Sequence, residues 1–350
     1  MCIIQFKKVI EMSNSADTID MLASYCPQDS GPVDAAQWTT LAEIAPDFAA
    51  PKTVDLNVNG VCNLNCAWCW GPVHEKSLET VTGDEWVGVM GDLRAVGTEN
   101  IVFTGGETLM KKELPMLVRA AKELGFRNTL STNGILLPAR HAGVLPFIND
   151  VGLPLDGADR ETNDSMRRPL GNRSPHFKKV LESIKLVQTI YPDIELTVRT
   201  VVGRPNVDSV HRIGGLLINS GIDPAALRWK LYQCNPIGPR QDQTIAGDWL
   251  ISGDEFDQTM ARVHDQNPLF PHIQGQKVKD SIGRYFHIHP DGETNVVVES
   301  DRWTSEGTPV NSETATGNIV RDFPGTMHSL WANGFRAVRL NRELASAVSA

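Results

Sequence analysis

The sequence predicts an α/β protein, a partial (β/α)6 TIM-like barrel followed by a C-terminal α+β extension. Three observations predict it. From about residue 52, short apolar or alternating runs take turns with stretches of helical periodicity, six times over. Several of those runs end in glycine and polar residues, where parallel βα folds place their sites. Past residue 245 the alternation stops, and one helix and a hairpin pattern replace it.

Residues 1–49 read as an N-terminal lead-in, broken by Pro27-Gln28-Asp29-Ser30-Gly31-Pro32. Val54 to Asn59 alternates apolar and polar, the mark of a half-buried strand. Trp86, Val87, Val89, Met90 and Leu93 then have helical spacing. Ile101-Val102-Phe103 is a short buried strand ending at Gly105-Gly106. Leu114, Leu117, Val118, Ala121 and Leu124 stripe the next helix, and Asn128–Ser131 is the third strand. Val151–Leu155 is the fourth, ending at Asp156-Gly157. Ser174 caps a helix with Pro175 in its first turn, and its apolar face is Phe177, Val180, Leu181, Ile184 and Val187. Ile194–Val202 and Leu227–Gln233 are strands five and six, with a helix around 207–219 between them. Six such units in series imply a parallel sheet with right-handed crossovers. The barrel is expected over 50–245 and a cap over 246–350. The cap holds a helix near 254–265 and a hairpin of Tyr285–His289 and Asn295–Val298 around Pro290-Asp291-Gly292.

The 350 residues are 41% hydrophobic and 21% charged, enough for a sizeable core. A net charge of -9 argues against a broad nucleic-acid footprint. No apolar run approaches the ~18 residues a membrane helix needs, and the apolar stretch in MCIIQFKKVIEM is too short for a secretory signal. A cytoplasmic location is expected. Three of the six cysteines fall within eight residues, which suits metal or redox chemistry rather than a disulfide framework.

Those three are Cys62, Cys66 and Cys69, a C-x3-C-x2-C loop just after the first strand. Three thiolates can bind three irons of a cubane and leave the fourth open. A structural zinc site wants four closed ligands, and four-cysteine ferredoxin spacings do not match. A zinc knuckle completed by His74 remains the alternative. Thr104-Gly105-Gly106-Glu107 ends the second strand; its glycines allow close backbone approach, and Glu107 can pair with an ammonium. Alone, it would be an ordinary glycine turn.

Together these motifs resemble the radical S-adenosylmethionine superfamily over roughly residues 52–240. The resemblance implies a [4Fe-4S] cluster on the three cysteines, with S-adenosylmethionine chelated to its open iron. It further implies that Gly105, Gly106 and Glu107 hold the amino group, that the Trp68 backbone lies near the adenine, and that Ser131, Asn133 and Arg199 contact the cofactor. Relatives often carry Ser-x-Asp-Gly after the fourth strand, whereas this chain has Pro154-Leu155-Asp156-Gly157. The chemistry needs an electron at low potential, within reach of iron–sulfur clusters, and so an external donor of the flavodoxin or ferredoxin type.

On strand six, period 2 puts Arg228, Lys230, Tyr232 and Cys234 on one face. Two cations there suit a phosphate or carboxylate, or else snorkel at the rim. With Asn57 and Asp156, Arg228 and Lys230 are the candidate substrate contacts. Cys234, or more faintly Tyr232, is a candidate hydrogen-atom donor, although a free cysteine is commonly just a small buried residue. Arg-Trp-Lys-x-x-Gln-Cys and Lys279-Asp280-Ser281 resemble the viperin-like branch, whose members act on nucleoside triphosphates. The fifth strand has Thr197 where that branch has a phosphate-binding lysine, which points to a nucleoside or sugar of lower charge. Tyr285–Gly292, Gly317-Asn318-Ile319 and Leu330-Trp331 resemble the SPASM/twitch-type extension of peptide-modifying relatives. No cysteine follows Cys234, so an auxiliary cluster is not expected. His264, His272, His287 and His289 read as structural. The expected substrate is a polar small molecule such as a nucleoside, nucleotide or sugar, and the expected reaction a decarboxylation, dehydration or epimerisation. A peptide-modifying enzyme and a non-catalytic metal-binding module are the rivals.

Overall fold

The computed structural model describes residues 51–66, 68–69, 79–170, 176–235, 249–281, 284–298, 312–322, 326–327 and 329–330. Cys2, Cys26, His74, the Ser174-Pro175 cap and Trp331 lie outside these residues. The six expected strands are β1 (Thr53–Asn57), β2 (Asn100–Thr104), β3 (Arg127–Ser131), β4 (Asp150–Pro154), β5 (Glu195–Val202) and β6 (Arg228–Gln233). They pair in parallel in chain order.

Between them run α1 (Gly83–Ala95), α2 (Leu114–Glu123), α3 (Leu137–Val144), α4 (Arg160–Met166), α5 (His176–Ile190) and α6 (Ile213–Asn219), with α7 (Gly253–Gln266) after β6. Helix α1 starts in a capping box: the Thr82 hydroxyl accepts from the Glu85 amide, and the Glu85 carboxylate accepts from the Thr82 amide. Helices α3 and α4 are absent from the sequence reading because eight and seven residues are too few to print an apolar stripe. The expected helix around 207–219 shortens, since Val210–Arg212 forms a 3-10 turn before α6.

The sheet runs on past residue 245. β7 (Ile273–Gln276) pairs in parallel with β6, and β8 (Phe286–Ile288) pairs in parallel with β1. β9 (Glu293–Val298) and β10 (Ser312–Asn318) continue antiparallel from β8, so the order is β10-β9-β8-β1-β2-β3-β4-β5-β6-β7. The expected hairpin is thus β8–β9, turned at Gly292 with φ +84°.

One face of each barrel strand packs with the helices in a common core: Val54 and Leu56 of β1, Ile101 and Phe103 of β2, and Trp229 and Leu231 of β6 are all buried to 0% exposure. Trp86, Met90 and Leu93 of α1 join the same cluster. Each such burial contributes about 1.5–3 kcal/mol.

The first residues of β4, β5 and β6 share an ion-pair cluster. Arg228 Nη2 lies 2.7 Å from Asp150 Oδ2 and 2.5 Å from Glu195 Oε2. This corrects the reading of Arg228 as a substrate contact. It sits at the N-terminal rim of the strands, opposite the C-terminal ends where such folds place their chemistry.

Candidate active site

The C-terminal ends of the strands surround a cavity of about 350 Å³. Its upper wall is the cysteine loop. Cys62, Cys66 and Cys69 are half-buried thiols outside any disulfide that all line the cavity, with Trp68 among them. Burial is the main cause that pushes the Cys62 and Cys66 thiols up to about 12. A metal that displaces those protons is therefore what allows thiolates to exist there. The donor set fits an iron–sulfur cubane: three thiols line one cavity, one for each of three irons, and leave the fourth iron open. An N–H donor from Leu64 reaches Cys62 Sγ at 3.4 Å, the kind of contact that tunes a cluster.

The loop is held by the glycine turn after β2. The Gly106 amide donates to Asn59 O (2.7 Å), the Glu107 amide donates to Val61 O (2.8 Å), and Asn59 Nδ2 donates to Glu107 O (2.8 Å). A Cβ on Gly105 would lie 2.4 Å from Asn59 O, and one on Gly106 2.4 Å from Val61 O. Gly105 also has φ +138°. These glycines therefore dock backbone on backbone, and both line the cavity.

Glu107 differs from expectation. Its carboxylate is fully buried and absent from the cavity wall. Oε1 accepts from Thr132 Oγ1 (2.6 Å) and Leu109 N (2.9 Å), and Oε2 accepts from Asn133 N (2.8 Å). Burial pushes its pKa up while those donors pull it back. The side chain fixes the Thr132-Asn133 corner. Asn133 in turn donates to Asn63 Oδ1 (2.6 Å), and its amide lies 3.9 Å from Cys62 Sγ.

Arg199 crosses the barrel interior over Gly152 and donates to Ser131 Oγ (3.0 Å). A Cβ on Gly152 would come within 2.4 Å of the guanidinium carbon, so glycine there makes room for the arginine. Ser131, Asn133 and Arg199 all line the cavity, as does Tyr232.

Four other expected contacts lie elsewhere. Asn57 is buried with its amide 3.4 Å from His289 Nδ1. Asp156 is fully buried, its Oδ2 2.6 Å from Arg167 Nε, and it accepts from the Val201 amide (2.8 Å). Lys230 stands half-buried beside Arg199 in register, off the cavity wall; burial, then Arg199, lowers its pKa. Cys234 is buried and off the wall as well, whereas Gln233 and Asn235 line it. The strand ends at Gln233, so the two-residue alternation that put Cys234 inside no longer applies.

Sequence reasoning missed Arg167, Asp55, Tyr285 and His287, all on the wall. Arg167 follows a short helix with no period to expose it. Its guanidinium lies 4.7 Å from the Trp68 ring centre, and the adjoining chain straps the cysteine loop: Asn65 N donates to Arg168 O (2.7 Å) and Leu170 N to Asn63 O (3.1 Å). Asp55 faces into the barrel beside His287, Oδ2 to Nδ1 3.5 Å. Burial raises Asp55 to about 7 and lowers His287 to about 3. The alternation of Tyr285, His287 and His289 was the available signal.

The radical SAM superfamily model matches residues 56–213. The chain is 31% identical over 185 residues to the PqqA peptide cyclase of Bradyrhizobium diazoefficiens, covering 51% of this chain and 46% of that protein. It is 26% identical over 251 residues to the S-adenosylmethionine-dependent nucleotide dehydratase of Lacinutrix mariniflava, covering 64% and 48%. The chain thus spans just under half the length of these relatives. Its fold resembles Streptococcus suis SuiB bound to S-adenosylmethionine, with TM-score 0.57, 13% identity, and coverage of 83% of this chain and 70% of that one. The chain thus carries a radical SAM domain over residues 56–213, the domain of enzymes that work with a [4Fe-4S] cluster and S-adenosylmethionine.

Proposed function

We propose that the enzyme cleaves S-adenosylmethionine reductively and uses the resulting 5′-deoxyadenosyl radical to take hydrogen from a polar, anionic small molecule: a nucleoside, nucleotide or sugar derivative. The supporting observation is the charge of the barrel interior. Arg199 lines the cavity and Lys230 lies next to it, and Lys230 has no ion pair among the described residues. Burial keeps the nearby Asp55 carboxyl largely protonated below about pH 7, so the balance there is cationic. A phosphate or carboxylate would relieve two neighbouring cations in a low-dielectric site.

Cys62, Cys66 and Cys69 would hold the cluster, and the Gly105-Gly106 backbone, Ser131 and Asn133 would line the cofactor's place. The bound cofactor supplies the radical, and the protein's part is orientation and exclusion of water. The nucleotide dehydratase among the relatives favours a nucleotide-like substrate. The peptide cyclase favours a peptide; residues 235–350 contribute no cysteine to an auxiliary cluster. An electron donor of the flavodoxin or ferredoxin type would drive the cleavage in the cell.

The test is anaerobic 5′-deoxyadenosine formation by the reconstituted enzyme with dithionite, measured alone and with cytidine, uridine, their phosphates and glucuronate. The reading expects stimulation by at least one anionic member and none in Cys66→Ala. Stimulation by peptides and by no small molecule would overturn the substrate class.

A further inference from the structure

The cavity wall carries two tyrosines that the sequence of events above leaves unused. Tyr232 is on β6, and its hydroxyl has no hydrogen-bond partner among the described residues. Its partner in register on β7 is Gln276. The Gln276 side chain reaches across the sheet's open edge to the Tyr285 hydroxyl, Nε2 to Oη 2.8 Å, with Oε1 2.9 Å from the same oxygen. Tyr285 stacks on His287, ring centres 5.8 Å apart and planes 10° off parallel. Both phenols, with Gln276 between them, line the same cavity as the cysteine loop. The cysteine that the β6 alternation offered as a hydrogen donor does not.

We propose that Tyr232 and Tyr285 are the hydrogen-atom donors of this enzyme, in place of Cys234. The proposal rests on the radical reading above and deepens it. A carbon-centred radical in the cavity takes the phenolic hydrogen: the O–H bond breaks, a C–H bond forms, and the unpaired electron passes to the tyrosyl oxygen. One electron from the external reductant and one proton from solvent restore the phenol. For a substrate, abstraction of one hydrogen and return of another, with nothing else lost, is the atom balance of an epimerisation. Burial raises both phenols, so each keeps its O–H across the working pH range.

The donor role is testable without a substrate, because the same tyrosines quench the 5′-deoxyadenosyl radical when nothing else fills the cavity. The holoenzyme, equilibrated in D2O, is given S-adenosylmethionine and dithionite, and the 5′-deoxyadenosine formed is weighed by mass spectrometry. We expect one solvent deuterium in most of the product. Tyr232→Phe, Tyr285→Phe or the double variant should lower that fraction at least tenfold, and Cys234→Ala should leave it unchanged. Freeze-quenched wild-type samples should show a tyrosyl radical signal that the same Phe variants lose. Iron content and the cofactor-induced change in the cluster's electron paramagnetic resonance spectrum show that each variant is folded and loaded. Product free of deuterium, or deuterium retained in the double Phe variant, overturns the donor role and leaves the radical reading standing. No 5′-deoxyadenosine without substrate but ample product with one does the same. No cleavage under any condition overturns both.

Discussion

The Arg167 guanidinium lies between two partners of opposite kind: its Nε is 2.6 Å from Asp156 Oδ2, and its carbon is 4.7 Å from the centre of the Trp68 ring. Asp156 has no exposed side-chain surface and Arg167 has 10%. Asp156, two residues past the end of β4, thereby reaches the cysteine loop through a single arginine. Removing one member of a buried pair leaves the other charge uncompensated, at a cost of roughly 3–5 kcal/mol. Asp156→Asn should lower the urea unfolding midpoint accordingly and loosen the Trp68 side of the loop. An unchanged midpoint would show that the pair contributes nothing.

Arg228 should behave differently. Its pairs with Asp150 and Glu195 are partly exposed, with a third of the arginine side chain open to solvent, so the expected cost of Arg228→Met is about 1 kcal/mol. Cluster content and 5′-deoxyadenosine formation should match the wild type. A large loss of activity in a stable variant would return Arg228 to the substrate site.

Gly152→Ala tests the passage of Arg199. The new methyl would meet the guanidinium at 2.4 Å and push it away from Ser131. Gly91→Ala in α1, where nothing stands within 4 Å, is the control and should be neutral or stabilising by up to about 1 kcal/mol. Isothermal titration of the loaded enzyme with S-adenosylmethionine should show weaker binding for the first variant alone. Equal affinities would mean that Arg199 does not order the cofactor side of the cavity.

The Asp55–His287 contact predicts a pH dependence with two opposed arms. Asp55 is raised from 3.8 to about 7, so the folded state holds its proton longer and loses relative stability as pH rises through that interval. His287 is lowered from 6.5 to about 3, so its contribution is full above 6.5 and falls away as pH drops toward 3. The two nearly offset each other in the wild type. Asp55→Asn removes only the first arm, so its melting temperature relative to wild type should climb between pH 5.5 and 7.5. A difference that is flat across this range would contradict the raised carboxyl.

Much of this was legible in the sequence because period and punctuation survive without context. The strands from β1 to β6 carry enough apolar residues to be read, and the cysteine spacing admits few alternatives. β7 was not legible: Ile273-Gln274-Gly275-Gln276 has one apolar residue and becomes a strand only because β6 offers an unpaired edge. Glu107 and Asp156 were identified as important, but their roles depend on burial, which turned apparent ligand contacts into internal ties. Cys234 shows how a periodic argument fails one residue past the strand that sustains it.

The parallel pairing of β1 with β8 also has a consequence for how the protein is made. Asp55 is the register partner of His287, and the chain leaving the cysteine loop is tied to the β8–β9 turn, where the Thr80 and Val81 amides both donate to Pro290 O at 3.2 Å. During synthesis the three thiols leave the ribosome more than 200 residues ahead of these partners. Closing a loop of that length is slow, and the half-built sheet meanwhile exposes an unpaired edge. Iron and sulfide delivered before that point would meet a loop without its final support. A variant that unfastens the Pro290 turn should therefore take up less iron per chain on reconstitution than the wild type, even where its melting temperature is unchanged.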